Sequence, residues 1–474
     1  MTRVSVVIPT YNRSALLEVA LQSVLAQDYA DLEIIVVDDG CTDDTAQVVA
    51  KYGSRVKYVK QENSGLPGAR NTGIRTATGE YLCFLDDDDF YLPGKVRKQA
   101  CYLDAHPELD IVACQHVLTD ESGQFTEWSG TIPEGEVFHR FLLEGCFVTS
   151  GGPLVRRSVY ERVGLFDEQS KGSEDWDMWL RISGAGYRFG CVQEPLYAYR
   201  QYSVKRGNMS SRGTGVESGQ VTLLTKIFAH REIGPQIAHL RNQAFAMMRA
   251  RLSSIYYVAG DWDNASRNLG EAVRLYPSAF ASTPQWLNML RYWVLRWRIA
   301  DPVRFAHDIM DHLPPNASHA SHARPHLIRQ ARFAESFRSF ARGHVADGRR
   351  QLTEAITATP DLLNYPEDFV ESLSYHAMVL VVDPLPFATL VIDNLPDVAG
   401  RLSACRARIL SKVQMACAFQ AHTLSNWPEV IRNIASSLLN YPSNVINNRG
   451  AVAILIDALR KNYLGRIRPA ANPR

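Results

Sequence analysis

Apolar runs alternate with amphipathic segments over residues 4–85, and this alternation constrains the fold more than any other feature of the chain. Val4–Pro9 and Leu32–Asp39 are continuous runs rich in Val and Ile. Between them, Ser14 is predicted to be the N-cap of a helix that carries its leucines on one side. Further predicted elements are a helix after Thr42, a strand at 56–59, a helix at 69–77 and a strand at 80–85. Because continuous apolar strands are buried on both faces, an α/β domain with a mostly parallel sheet is predicted.

Three of these predicted strands end in polar residues. The three polar runs are Thr10-Tyr11-Asn12, Asp38-Asp39-Gly40 and Asp86-Asp87-Asp88-Asp89. The carboxyl ends of parallel strands meet at one edge of an open sheet, where ligands bind. We therefore expect three loops to converge on one crevice.

The acidic run at residues 86–89 is the sharpest local signal. Four consecutive carboxylates repel one another unless they are solvated or bind a cation, and a solvated acidic loop is one interpretation. The position after a buried strand favours a cation site, since Mg²⁺ and Mn²⁺ prefer carboxylate, water and phosphate oxygens. Asp86 and Asp88 lie two positions apart, so an extended backbone would direct them to the same side.

Helical spacing dominates beyond residue 219. Related blocks begin at Gly260, Gly343 and Ser425, and each reaches a proline at the same offset. Their starts lie 83 and 82 residues apart. A turn, an amphipathic helix and a proline stop that recur in this way predict a helical-hairpin solenoid. The blocks resemble the second helix of tetratricopeptide repeats, although their spacing is more than twice that of such repeats.

The chain has 474 residues, more than one hydrophobic core usually serves. The predicted domains are an α/β domain at 1–210, a flexible junction at 211–219, an α-helical domain at 220–465 and a disordered tail at 466–474. The first domain carries a net charge of −9 and the remainder +10. Apolar residues make up 46% and charged residues 21%, as in an ordinary soluble globular protein, and no apolar stretch comes near the roughly 20 residues that span a bilayer. The N-terminal segment lacks the apolar core and cleavage site of a signal peptide, so a cytoplasmic protein is expected.

Five segments in fixed order resemble the family 2 inverting glycosyltransferases, over roughly residues 3–210. They are VSVVIPTYNR, EIIVVDDGCTDDT, NSGLPGARNTGI, GEYLCFLDDDD and SEDWDMWLRI. The resemblance implies a GT-A domain, which is Rossmann-like, followed here by the all-α repeats. It also implies transfer of a sugar from a nucleoside-diphosphate sugar, most simply a UDP-sugar, to a hydroxyl group with Mn²⁺ or Mg²⁺ as cofactor.

The same resemblance assigns roles on the donor side. Pro9, Thr10 and Tyr11 would contact the nucleotide base, and Asp39 would accept a hydrogen bond from the uracil imide. Arg70 would face the diphosphate, with a surface salt bridge as the alternative. In the DXD region, Asp88 would bind the metal directly, Asp86 would contact the ribose or the metal through water, and Asp87 would complete the donor site.

Catalysis needs a base behind the acceptor hydroxyl, and the resemblance assigns this role to Asp175. Glu174 and Asp175 open a predicted helix, so they could instead only complement the helix dipole. The chain departs from the family after the last strand, where YRxH is frequent and Tyr199-Arg200-Gln201-Tyr202 stands here. Lys205 and Arg206, just beyond, are predicted to contact the diphosphate instead.

The partners are expected to be a nucleotide sugar and a glycan, lipid-linked or protein acceptor, with no nucleic acid. The tryptophans and arginines of Ser282–Ala300 suit packing between solenoid helices, and they also suit peripheral contact with a membrane. Formation of a homodimer is another expected role for the helical half. The rival hypothesis is a scaffold protein with an inactive transferase domain and a partner-binding solenoid.

Overall fold

The protein is described by a computed structural model over residues 2–128, 132–170, 172–202, 213–295, 299, 301–380, 383–423 and 427–446. The described residues divide into two compact units. Unit 1 contains those of Met1–Ala281 and His312–Ala317, and unit 2 contains those of Ser282–Asp311 and Ser318–Arg474.

One mixed sheet forms the centre of unit 1. Its strands are β1 (Val4–Thr10), β2 (Leu32–Asp38), β3 (Lys57–Lys60), β4 (Tyr81–Phe84), β5 (Phe90–Tyr91), β6 (Ile111–Thr119), β7 (Phe125–Trp128), β8 (Leu154–Arg156) and β9 (Phe189–Arg200). Their order is β3-β2-β1-β4-β8-β6-β9-β5, with β7 paired to β6. The pairings among β1 to β4 are parallel, as predicted, whereas β8 runs antiparallel to both β4 and β6. The predicted class, an α/β domain followed by helices, is confirmed.

Helices pack against this sheet and continue after it. The helices of unit 1 are α1 (Ser14–Leu25), α2 (Thr45–Ala50), α3 (Gly65–Thr76), α4 (Lys95–Ala105), α5 (Phe138–Glu144), α6 (Arg157–Val163), α7 (Glu174–Gly184), α8 (Gly213–Ala229), α9 (Gly234–Ile237), α10 (Arg241–Ala259) and α11 (Trp262–Leu275). Helix α1 buries Leu17, Leu21 and Val24, as its spacing predicted.

The predicted cap of α1 is wrong by one position. Arg13 occupies the N-cap and makes no side-chain capping bond. The amide of Ser14 instead donates to Asp43 Oδ2 at 2.9 Å. A carboxylate from the loop after β2 thus caps the helix, and local sequence could not reveal this long-range partner.

Helix α3 lies unusually close to β1. A Cβ added to Gly73 would stand 2.2 Å from Val7 Cγ1, so the approach requires a residue without a side chain at this position. The close contact buries one face of α3, including Arg70 and Asn71. The glycine therefore sets how deeply Arg70 enters the domain.

The helices after the predicted junction pack into unit 1. Glu217 on α8 accepts hydrogen bonds from Arg249 Nη1 at 2.5 Å and from Tyr256 Oη at 2.7 Å, both on α10. It also accepts from Arg267 Nη2 on α11 at 2.9 Å. Burial alone would raise the pKa of Glu217, but the bond from Arg267 and its other hydrogen bonds lower it to about 2. The end of the catalytic domain at residue 210 stays a prediction. The compact unit 1 continues beyond this residue to Ala281.

Unit 2 is helical in its described residues. Its helices are α12 (Thr283–Val294), α13 (Pro302–Asp311), α14 (Arg324–Ala341), α15 (Val345–Ala358), α16 (Pro366–Leu380), α17 (Pro384–Asp393), α18 (Gly400–Ser403), α19 (Arg406–Thr423), α20 (Trp427–Asn440) and α21 (Ser443–Ile446). Most of them form hairpins, namely α12–α13, α14–α15, α16–α17 and α19–α20, and the pair α10–α11 in unit 1 is similar.

These hairpins explain the repeat seen in the sequence. Their second helices are α11, α13, α15, α17 and α20, and these begin about 40 residues apart. The blocks found at a spacing of 82 to 83 residues correspond to α11, α15 and α20 only. The intervening second helices, α13 and α17, begin directly with a proline, so they lack the small turn that begins the other three blocks.

The tryptophan-rich segment contributes to packing. Trp286 and Trp293 are buried, and Arg291 Nε donates to Gln330 Oε1 on α14 at 2.8 Å. Trp297 and its flanking arginines, Arg296 and Arg298, lie outside the described residues. In the part of the chain that the structure describes, no helix has the length and hydropathy to cross a membrane.

Candidate functional site

The three polar loops meet at the carboxyl edge of the sheet, as the sequence predicted. The amide of Asp39 donates to the Thr10 carbonyl at 3.0 Å. Thr10 Oγ1 then donates to Asp87 Oδ2 at 2.8 Å, and the Tyr11 amide lies 3.4 Å from the same oxygen. The ends of β1, β2 and β4 are thus hydrogen-bonded to one another, while the side chain of Tyr11 remains exposed.

Asp39 caps helix α3. Its carboxylate accepts from the amides of Ser64 and Gly65, both at 2.9 Å, and from Gln61 Nε2 at 2.7 Å. Neighbouring Asp38 accepts from the Cys41 amide at 2.6 Å and from the Tyr58 hydroxyl. Asp38 therefore orders its own loop, while Asp39 joins that loop to α3.

Arg70 is the hub of the site. Its buried guanidinium donates through Nη2 to Asp86 Oδ1 and Ser150 Oγ, both at 2.8 Å, and through Nη1 to Asp175 Oδ1 at 2.5 Å. Glu174 Oε1 lies 3.8 Å from Nη1. One fixed cation thus joins the acidic loop after β4 to the start of α7, and the expected alternative of a surface salt bridge does not apply.

Electrostatics sets Asp175 apart from an ordinary carboxylate. Removal from water raises the pKa of Asp175 to about 7, and the charges of Glu174 and Asp86 raise it as well, whereas Arg70 opposes the shift. The buried Oε2 of Glu174 has no hydrogen-bond partner among the residues that the structure describes. Three acids therefore share the one guanidinium, so the proton affinity of Asp175 suits a group that gains and loses a proton near neutral pH.

The acidic run divides into residues with different surroundings. Burial raises the pKa of Asp87 to about 7, although Arg13 opposes the shift. Burial and the charge of Asp88 raise the pKa of Asp89, which accepts from the Tyr197 hydroxyl and from the Arg200 amide at 2.8 Å. Asp89 thus anchors the loop to β9 and faces away from the crevice.

Asp86 and Asp88 are the residues that could hold a metal ion. Among the described residues, no cluster of three or more His, Cys, Asp or Glu side chains could hold an ion by itself. A Mg²⁺ or Mn²⁺ ion bound mainly by phosphate oxygens and water needs only one or two carboxylates. Burial and the charge of Asp86 raise the pKa of Asp88, although Arg13 opposes the shift. This donor set fits such an ion.

Two residues of the site escaped the sequence reasoning. Arg13 Nη1 lies 2.7 Å from Asp88 Oδ2 and 3.2 Å from Asp87 Oδ1. Arg13 is the last residue of the segment VSVVIPTYNR, but no role was predicted for it. Ser150 Oγ donates to Asp86 Oδ2 at 3.1 Å, and it belongs to no recognisable motif. Arg13 could have been found because it directly follows the polar run Thr10-Tyr11-Asn12, whereas Ser150 had no signal.

The remaining predicted residues have different outcomes. Pro9 is buried in β1 and lies between Ile8 and Thr10 at the same sheet edge. Lys205 and Arg206 lie outside the described residues. Tyr202, at the position where the family often has histidine, lies near the acidic run, since burial and the charge of Asp88 raise its pKa to about 12.

The first part of the chain is similar to known proteins. Residues 5–164 match the family model described as glycosyl transferase family 2. This part of the chain is a family 2 glycosyltransferase domain. The family 2 domain contains the ends of β1, β2 and β4 together with Arg70, whereas Asp175 lies 11 positions beyond the end of the matched segment at residue 164.

Relatives of this family 2 domain occur in several bacteria. An uncharacterized glycosyltransferase of Rickettsia prowazekii is 32% identical over 190 residues, which cover 38% of this chain and 58% of that protein. One from Haemophilus influenzae is 28% identical over 221 residues, covering 45% and 73%. The chain thus spans 58% of the length of the first relative, less than two thirds.

Two solved structures align with part of the chain. Staphylococcus aureus TarS aligns with a TM-score of 0.43 at 21% identity, over 71% of this chain and 55% of that chain. Mannosyltransferase PcManGT from Pyrobaculum calidifontis, solved with GDP-Man and Mn²⁺, aligns at 0.41 and 20% identity, over 69% and 85%.

The environment of Arg70 predicts a pH-dependent loss of stability. We expect Arg70→Gln to lower the unfolding free energy by about 3 kcal/mol at pH 8, because it leaves buried acids without their cation. Ionising Asp175 costs stability as the pH rises through about 7, since its folded-state pKa is raised. The loss should therefore shrink at pH 5.5. Urea unfolding at both pH values measures the difference.

Arg75→Gln is the matched control, because Arg75 is exposed on the same helix and its guanidinium donates to Thr72 Oγ1 at 3.2 Å. Its effect should stay within about 0.5 kcal/mol at both pH values. An Arg70→Gln loss that was equal at pH 8 and pH 5.5 would contradict the charge-sharing arrangement.

Proposed function

We propose that the protein is an inverting glycosyltransferase that moves a sugar from a nucleoside-diphosphate sugar to an acceptor hydroxyl. The observation that supports this most strongly is the bridge from Asp86 through Arg70 to Asp175. It joins the loop proposed for the donor to the residue proposed as base. The membership of residues 5–164 in family 2 supports the reaction class.

The donor is proposed to be a uridine nucleotide. The carboxylate of Asp39 accepts from three N–H groups of its own chain, and its two oxygens have further lone pairs for one imide N–H. Tyr11, 51% exposed beside it, offers a ring on which a base can stack. Pro9, Thr10 and Asp87 would form the floor under that base.

The diphosphate is proposed to lie between Asp88 and Arg70. A Mg²⁺ or Mn²⁺ ion held by Asp88, with Asp86 beside it, would act as a Lewis acid that neutralises the charge of the leaving diphosphate. Arg70 is already fixed by Asp86, Ser150 and Asp175, so its orientation costs no further ordering when the donor binds. Lys205 and Arg206 remain the predicted further contacts to the diphosphate.

Asp175 is proposed to take the proton from the acceptor hydroxyl. As that oxygen bonds to the anomeric carbon from the side opposite the diphosphate, the bond from carbon to phosphate oxygen breaks and the configuration inverts. The proton stays on Asp175 and the nucleoside diphosphate leaves. A pKa near 7 lets Asp175 be unprotonated before the reaction and still accept a proton during it.

The acceptor is proposed to be a glycan, a lipid-linked glycan or a protein, and the helical half of the chain, beyond residue 219, is proposed to position it. Peripheral contact with a membrane and formation of a homodimer are further proposals for this helical half. The rival scaffold function lacks a supporting observation, because Asp39, Arg70, Asp88 and Asp175 are all present together.

Nucleotide binding tests the donor assignment directly. A nucleotide sugar at a hundred times its dissociation constant stabilises the folded state by about 2.7 kcal/mol, which a thermal-shift screen with Mn²⁺ detects. We expect UDP-sugars to give the largest shift. Asp88→Asn should remove the Mn²⁺-dependent part of the shift, because it removes the proposed metal ligand.

Asp44→Asn is the control, since Asp44 is exposed in the loop before α2. It should leave the metal-dependent shift unchanged. If no nucleotide sugar stabilises the wild-type protein with or without Mn²⁺, the scaffold hypothesis replaces the enzyme.

The pH profile tests the base. Turnover should rise as the pH increases through about 7, because only the unprotonated form of Asp175 accepts the acceptor proton. Asp175→Asn should lower kcat about 10³-fold while donor affinity changes less than about twofold. The measurements are kcat between pH 5.5 and 8.5 and equilibrium binding of the nucleoside diphosphate. Glu161→Gln, at an exposed position on α6, should behave like the wild type. A profile that falls as the pH rises through 7 contradicts the assignment.

A further inference from the structure

We propose that Arg251, on the helical segment that follows the family 2 domain, is a positioning residue for Asp175. The inference rests on the proposed function, because it concerns the helix that presents the proposed base. It also assigns a role in the reaction to the segment from α8 to α11.

Arg251 joins the end of one helix to the start of another. Its Nη1 donates to the Leu143 carbonyl in the last turn of α5 at 3.0 Å. Its guanidinium carbon lies 5.2 Å from the ring centroid of Trp176, the residue after Asp175 in α7. Such a cation over a tryptophan face is attracted electrostatically, most strongly where water is excluded. A single side chain of α10 thus contacts both helices.

Trp176 is itself fixed to α5. Its ring is buried and its Nε1 donates to the Phe141 carbonyl at 2.8 Å. The indole is therefore held on one edge by α5 and on one face by Arg251. Since Trp176 is the next residue to Asp175, a rotation of this ring would displace the first turn of α7.

A glycine at position 145 makes room for the Arg251 guanidinium. Gly145 ends α5 with a φ of +90°, and a Cβ there would stand 2.7 Å from Arg251 Nε. A residue with a side chain at 145 would therefore meet the guanidinium and would be strained in this conformation. Both features suit a close and specific seat for Arg251.

Helix α10, which carries Arg251, is bonded to two neighbouring helices. Helix α10 is joined to α8 and α11 by the bonds of Glu217 to Arg249, Tyr256 and Arg267. Because this ion-paired cluster fixes α10, Arg251 transmits the position of the helical segment to α7. A catalytic group misplaced by about 1 Å loses on the order of 10²-fold in rate, so such support has a measurable effect.

The experiment compares Arg251→Met, Arg251→Lys and the control Arg241→Gln in the full chain. Arg241 lies at the start of the same helix and stacks on Phe228 and Phe245 at 5.4 and 5.1 Å, so it makes a similar contact at another place. The measurements are kcat, donor KM, the thermal unfolding midpoint and the indole N–H resonance of Trp176.

Arg251→Met should lower kcat at least tenfold, leave donor KM within about twofold and shift the Trp176 resonance. Arg251→Lys, which keeps a cation over the ring, should recover part of kcat. Arg241→Gln should leave kcat unchanged. An unchanged kcat in Arg251→Met, or an equal loss in Arg241→Gln, overturns the proposal.

Failure of the proposed function gives a different result. If the wild-type protein transfers no sugar from any donor, the enzyme assignment fails and the Trp176 resonance still reports whether Arg251 holds the start of α7. A resonance that is the same in the wild type and Arg251→Met then overturns the positioning role by itself. If Arg251→Met does not fold, Arg251→Lys is compared with the wild type by kcat and by the Trp176 resonance. Values of both that equal those of the wild type then overturn the proposal.

Discussion

The guanidinium of Arg70 is the interaction on which the site depends. Asp86, Glu174 and Asp175 come from the loop after β4 and from the start of α7, and without a cation their mutual repulsion would separate these elements. Arg70 reaches them because α3 lies against β1, where Gly73 permits close contact. One glycine in a helix therefore determines whether the proposed donor and acceptor sides of the crevice meet.

The sequence alone predicted the first part of the fold well, because β1, β2 and β4 are continuous apolar runs whose polar ends stand out. It also predicted that these ends converge. It did not reveal Ser150, which lies 64 positions from Asp86, because a serine without a motif carries no local signal. Strand β8, only three residues long, escaped for a similar reason, and it makes the sheet mixed. Long-range partners decide such features, and a single sequence does not display them.

The helical half shows a related limit. Its repeat was visible at twice the true spacing, because α13 and α17 begin with prolines instead of the turn that marks the other blocks. The packing of α8, α10 and α11 into unit 1 depends on Glu217 and on arginines 32 and 50 positions away. Composition and glycine content indicated a junction near residue 210, but the ion pairs of Glu217 lie beyond it within the compact unit, which extends to Ala281. Peripheral helices thereby become neighbours of the proposed base.

The central claim, that Arg70 binds Asp175 into one site with Asp86, is tested most directly by a double-mutant cycle on stability. Unfolding free energies are measured for the wild type, Arg70→Gln, Asp175→Asn and the double variant at pH 8. Residues in direct contact through a buried ion pair should be coupled by at least about 1.5 kcal/mol. Additive effects, within about 0.5 kcal/mol, would show that the two side chains do not interact and would contradict the proposed site.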